Sequence, residues 1–441
     1  MALDKGINSK SQLSDLFSFS IMWNSIEAFG YQTVFLLYQV ALFNWISPIL
    51  FGLQGAFFAT CYLAISLLNG AFDGGVIPVF SELSKTRSTF EKILWPFFFQ
   101  SLILFITPLV LGGLFSFFPL LFPIEYLSYC SLKYLLLFSL FVGFEGTKKN
   151  LRSLLHLSFK NKYLAKLEVF NIASYATCSL LIYYSNGVSN LFILVFPFIL
   201  ISFFTTCLLG SQLAKFYISL PKGLFFNDSK IHSRFIKSRF YTYVNQITRI
   251  LFSSNFLLPF LALSAGLPAV GIISLINTIT FTCTCLIQKI FGPLGAALFA
   301  HTKSFPLKEK QATFVRVANA TWIVSSIFFV LFLFYGVIFL KNPTTFFSSF
   351  SVEVLIYLFF LVHLVESCFI VYEKFFIAEE KQEYLLVFNV ISGVVSFAII
   401  ASMSSYTVTT KLGICLITRL VSFGFLATSF YKIFNFDSTK K

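Results

Sequence analysis

The chain has 441 residues, of which 57% are hydrophobic and 11% charged, with a formal net charge of +14. A soluble domain carries about 25% charged residues, so this composition excludes a water-soluble globular protein. It also removes the nucleic-acid reading that so positive a charge would otherwise invite, because the basic residues gather in alternate connections between apolar runs.

Those apolar runs recur along the whole chain, and many exceed the roughly 18 residues needed to cross a hydrocarbon core about 30 Å thick. Met1–Ser14 is polar, and the run that follows is too long for a signal-peptide core, so it is expected to stay as the first helix. Twelve transmembrane helices are predicted, at roughly 14–44, 50–80, 93–118, 125–147, 164–184, 189–211, 238–263, 267–300, 314–340, 353–376, 384–403 and 408–432. Pro48, Pro119, Pro123, Gly187, Gly266, Pro268 and Pro343 fall where turns are needed. The fold class is therefore all-α and polytopic.

Orientation follows from charge. Of the 32 Lys and Arg residues, 26 lie on the connections that a cytoplasmic N-terminus places inside, against two, Lys341 and Lys411, on the outer ones. Both termini are predicted to be cytoplasmic. The 62 phenylalanines suit lipid-facing surfaces. All eight cysteines lie in apolar segments and read as small packing residues; Cys283 and Cys285 lack further ligands at metal-binding spacing, so no metal site is expected.

The sequence also repeats. Leu137–Glu145 matches Leu358–Glu366, Val169–Ser174 matches Val387–Ser392, and Phe51–Leu53 with Pro78 matches Ala265–Leu267 with Pro293, at offsets of 221, 218 and about 214 residues. Six helices return the chain to the same side of the membrane. The halves are thus expected to be parallel repeats related by an axis along the membrane normal: a six-helix bundle over 1–211, a basic cytoplasmic linker over 212–237 and a second bundle over 238–441.

Two six-helix bundles joined by a basic linker, together with the run from Phe51–Ala56 to Asn69–Glu82 in the second helix, resemble the multidrug/oligosaccharidyl-lipid/polysaccharide exporter superfamily. Val76–Glu82 is similar to the same region of lipid II and O-antigen flippases, and Lys148–Arg152 through Asn171 resembles polysaccharide flippases. The resemblance implies two bundles in a V, working by alternating access on lipid-linked sugars or amphipathic solutes. The chain departs from lipid II flippases, which have fourteen helices and several arginines in the first; here the first helix carries Glu27 and no arginine.

Ionisable groups at membrane depth are expensive and mark candidate sites. Arg249 falls near the middle of the seventh helix and Arg419 near the middle of the twelfth. Their planar guanidinium forks would suit a polyprenyl-pyrophosphate headgroup, or pair with buried carboxylates to fix helix packing. Glu27, flanked by Asn24 and Gln32, makes a polar patch that could bind a proton or sodium ion for coupling, or bridge to one of those arginines. Asp73, among Gly70, Gly74 and Gly75, could couple likewise or cap a break in the second helix. Glu145 and Glu366, related by the repeat, lie near the inner helix ends as inner-gate candidates or interfacial pairs.

Walker, HExxH and GxSxG signatures are missing, as is an Asp-rich cytoplasmic cluster, so no catalytic residue is assigned. The leading expectation is a monomeric flippase in a bacterial inner membrane, moving a lipid-linked oligosaccharide or cell-envelope precursor. The alternative is a cation-coupled multidrug exporter acting on an amphipathic solute. A membrane-embedded glycan transferase would need a larger outer loop than Lys341–Ser351. No cofactor is implied beyond a coupling Na+ or H+, and the surrounding partner is membrane lipid.

Overall fold

The computed structural model describes residues 10–116, 132–186, 191–222, 229–250, 285–340, 350–402 and 408–434. These are helical almost throughout, with no strand among them. The helices are α1 (Lys10–Trp45), α2 (Pro48–Leu68), α3 (Arg87–Ser116), α4 (Leu132–Leu157), α5 (Asn161–Asn186), α6 (Leu191–Ser219), α7 (Ser229–Ile250), α8 (Cys285–His301), α9 (Leu307–Leu340), α10 (Phe350–Ala378), α11 (Gln382–Ser402) and α12 (Val408–Ile433). About twelve spans were expected, and this order agrees. The later part of the predicted seventh helix and the start of the eighth, 251–284, lie outside the described residues.

Among the described residues, five stretches are long and apolar enough to cross a bilayer on their own: Asp15–Trp45, Ile49–Leu83, Arg87–Val110, Leu191–Ser219 and Leu307–Leu331. Large apolar side chains cover their outer surfaces, Trp95, Phe98, Phe99 and Leu102 on α3 and Ile323, Ile327 and Leu331 on α9 among them. Pro96 and Pro108 lie inside α3 and Pro197 inside α6, as membrane helices tolerate where neighbouring helices can re-satisfy the freed backbone groups. The chain is a multi-pass membrane protein.

Three local features depart from the predicted elements. The second helix is not continuous to residue 80. It starts cleanly, with Ser47 capping the Leu50 amide at 3.2 Å and Pro48 in the first turn. It then breaks after Leu68, where Gly70 (φ +56°) and Ala71 (φ +49°) take left-handed backbone. The chain resumes as short helical turns over Phe72–Val76, Ile77–Val79 and Phe80–Leu83. Secondly, α4 runs on to Leu157, well past its predicted end at 147. Thirdly, the 212–237 linker is mostly helix, since α6 extends to Ser219 and α7 begins at Ser229. The reason is amphipathic periodicity: Ile231, Phe235, Ser238, Thr242 and Asn245 are all buried, at spacings of three and four.

The turns α4–α5 and α10–α11 are built alike. Phe159 (φ +52°) and Glu380 (φ +59°) are left-handed, 221 residues apart. After each, the next amide reaches back across the helix end: Lys160 N to Leu155 O at 3.0 Å and Lys381 N to Phe376 O at 2.9 Å. This is the backbone hydrogen bonding that satisfies the last carbonyls of a helix, and the separation equals the sequence-repeat offset.

The molecule divides into two compact units, Met1–Phe29 with Ile276–Lys441, and Gly30–Leu275. These bounds differ from the halves read from the repeat. The first part of α1 groups with the later helices because it packs on α8, where Asn24 Nδ2 donates to Ile290 O at 3.0 Å. The described part of α7 groups with the earlier helices because it packs on the broken end of α2, with Ser238 Oγ donating to Gly74 O at 2.7 Å.

Candidate functional site

α1 is polar on its buried face and apolar on its exposed one. Ser20, Asn24, Glu27, Gln32 and Gln39 are buried, while Phe19, Met22, Ile26, Phe29 and Leu37 are exposed. The order is the reverse of a soluble surface helix and is the one expected where lipid replaces water outside. Glu27 is only 2% exposed. A carboxyl at that depth is costly to keep charged unless a cation or dipole answers it. Asn24, one turn earlier, is anchored to α8 by the bond to Ile290 O, which fixes this part of the face. Gln32 is buried further along, within the other unit.

Inside the unit Gly30–Leu275, α1, α2, α5 and α6 enclose neutral polar groups. The hydroxyls of Tyr38 and Tyr175 meet at 3.3 Å, the Tyr175 hydroxyl lies 3.4 Å from Leu194 O, and buried Gln54 and Ser179 border Tyr38. The Phe198 ring stands edge-on to Tyr175 at 4.6 Å.

A charged network lies in the same unit. Lys148 Nζ and Glu145 Oε1 are 2.5 Å apart, with both side chains under 10% exposed. Ser202 of α6 donates to the same Glu145 oxygen, and Lys148 also sits 5.8 Å over the Phe198 ring. One further turn along α4, Arg152 Nε lies 3.2 Å from Glu168 Oε1 of α5. Asn150 Nδ2 donates to Asn69 Oδ1 at 2.7 Å, tying α4 to the break after α2, and His156 Nδ1 is 2.9 Å from Asn161 Oδ1. With two acids and two bases interleaved, the network is neutral and holds its ionic groups in one bundle.

Glu145 is thus an interior residue bridging α4 and α6. Lys148 and Arg152, expected in an inner loop, lie on α4 within this network. Residues 145, 148 and 152 fall on one helical face, a spacing that could have revealed them. Glu366, the repeat counterpart of Glu145, is half-buried on α10. Asp73 stands in the first turn of the Phe72–Val76 segment, where a carboxylate faces the favourable end of the helix dipole. The N-terminal cap position of that segment is Ala71. Arg249 belongs to α7 and Arg419 to α12, but both side chains lie outside the described part of the structure.

The architecture has clear counterparts among solved structures. Over 98% of this chain and 99% of the other, it superposes on a MATE protein in the straight conformation with a TM-score of 0.69 at 12% identity. A MATE protein in complex with MaD3S gives 0.68 at 13% identity, over 97% of this chain and 99% of that one. An outward-facing multidrug resistance MATE family transporter of the MOP superfamily gives 0.64 at 13% identity, over 96% and 97%. The fold is that of the MATE transporters. At these identities the likeness concerns architecture. No protein-family model matches the sequence, and no curated protein matches it either. Within the expected superfamily, the likeness falls on the multidrug branch; the polysaccharide-flippase branch gains no specific support from it.

Proposed function

We propose that the protein is a cation-coupled exporter of amphipathic solutes that works by alternating access. The observation carrying this reading is the MATE-transporter likeness, which runs over nearly the whole chain rather than one bundle. It favours the exporter over the lipid-linked-oligosaccharide flippase expected from the sequence. The polar inner face of α1 adds a chemical reason, because an acid at membrane depth is where a coupling ion can bind.

In this reading Glu27 takes up a proton or sodium ion, and the solute passes along the polar face of α1 that Glu27 and Asn24 mark. Arg249 and Arg419 are candidates for an anionic group of the solute. One charge moving through 100 mV releases about 2.3 kcal/mol, enough for roughly fifty-fold accumulation. A single buried carboxyl therefore suffices for useful export.

The test is dye export from proteoliposomes containing the purified protein, with an imposed proton or sodium gradient and an amphipathic cationic dye. Gradient-driven dye movement that Glu27→Gln abolishes is the expected result. Movement of a fluorescent lipid-linked oligosaccharide, with no dye movement under either gradient, would return the function to the flippase reading.

A further inference from the structure

The break after α2 leaves backbone carbonyls without helical partners, and arginines from α7 occupy them. Arg239 Nε donates to Gly70 O at 2.7 Å, and its Nη2 reaches Asn69 O at 3.4 Å and the Gln100 side-chain oxygen on α3. Arg234 grips Glu82 through Nη1, at 2.8 and 3.0 Å to the two carboxylate oxygens, and reaches Pro78 O with Nη2 at 3.2 Å. Between them, Ser238 donates to Gly74 O.

The fit depends on missing side chains. A Cβ on Gly74 would lie 2.4 Å from Thr242 Cγ2, and one on Gly70 would lie 2.7 Å from Arg239 Nη2, at a φ that L-residues rarely adopt. Phe72 and Phe235 pack edge-to-face at 6.2 Å beside this seam. The guanidinium of Arg239 is thus a tethered cation on the negative, carbonyl end of a helix.

The seam joins elements from different sequence repeats. The segment 69–83 ends the second helix of the first repeat, and α7 opens the second repeat. Both sides pack within one compact unit here, so rocking of the two repeats against one another would require α7 to leave that unit and this seam to part. Asn24 of α1 on Ile290 O of α8 is its uncharged counterpart, made by the first helix of one repeat on the second helix of the other. Hydrogen bonds of a charged group to carbonyls suit a reversible seam, because each partner can be taken over by water when it opens.

We propose that Arg234 and Arg239 form a latch that holds the start of α7 on the broken end of α2 and must release once in every transport cycle. The proposal rests on the alternating-access reading, but its test does not require a solute. Spin labels would be placed at Ser84→Cys and Ile236→Cys, in a full-length background with native cysteines replaced, and their separation measured by pulsed electron resonance in nanodiscs.

One predominant short separation is expected for the unmodified latch. Arg234→Ala with Arg239→Ala should raise the ratio of long to short separations about tenfold or more, the scale of lost hydrogen bonds to charged groups. Arg239→Lys should give an intermediate ratio, since an ammonium lacks the fork that spans Gly70 O and Gln100. Exchanging the pair, Glu82→Arg with Arg234→Glu, should restore much of the short population that Arg234→Glu alone loses. If the double alanine variant is not monodisperse, Glu82→Gln serves in its place. An unchanged distribution in the monodisperse variant overturns the latch. A shifted distribution in a protein that moves no dye would keep the latch and remove the exporter reading.

Discussion

Breaking the Glu145–Lys148 pair should strand a buried charge, and the size of the effect follows from its surroundings. The two groups are 2.5 Å apart and nearly inaccessible, with Ser202 the other donor to Glu145. In Glu145→Gln the ammonium loses its counter-charge. The protein must then hold that charge unpaired, at about 3–5 kcal/mol. In Lys148→Met the stranded group is the Glu145 carboxylate, left with the Ser202 hydroxyl, at a similar cost.

At about 2 °C per kcal/mol for a unit of this size, either single change should lower the melting temperature by about 6–10 °C at pH 7. The double variant Glu145→Gln, Lys148→Met leaves no charge and should recover more than half of the loss. Differential scanning fluorimetry in detergent at pH 7 reads all three. A single variant as stable as the unmodified protein, or a double variant as poor as the sum of the two, would falsify the assignment of this pair as a buried, mutually neutralising one.

Three further outcomes are expected. Gly143→Ala puts a methyl group 2.1 Å from Phe105 Cδ1 at the α3–α4 crossing, so it should cost about 1–3 kcal/mol in thermal stability, with Phe105→Leu recovering at least half. Asn24→Ala should leave Ile290 O without its side-chain donor and lower the melting temperature by about 2–4 °C, and Asn24→Asp should not rescue it, since a carboxylate cannot donate. Reporter fusions after Lys162, Lys222, Lys308 and Lys381 should report cytoplasm, and fusions near Gly187 and Pro343 the opposite side; reversal at two or more sites would refute the charge-based orientation.

The helix order was legible because lipid demands long apolar runs, and those runs are plain from Asp15 to Trp45 or Leu191 to Ser219. The burial of Glu27, Asn24 and Gln32 was legible for the same reason, since polar side chains in an apolar helix have to face inward. The network of Lys148, Arg152 and Glu168 was not. Hydropathy treats a lysine in water and one closed against Glu145 and Phe198 alike, and α4 had been ended where its composition turned basic. Arg234 and Arg239 escaped in the same way, counted as linker charge although they seat on Glu82 and on carbonyls some 150 to 170 residues earlier in the chain. The glycines at 70, 74 and 75 signalled a break, but not that another helix's arginine would fill it.

The bond from Asn24 to Ile290 O also sets a clock on biogenesis. Its two ends are 266 residues apart. At synthesis rates of about 5–20 residues per second, α1 enters the bilayer roughly 13–50 s before its partner carbonyl exists. For that interval Asn24 must find another acceptor, in water, in the insertion machinery or on a neighbouring early helix. Changes that make this face of α1 more polar should therefore lower the yield of inserted protein before they affect the finished fold.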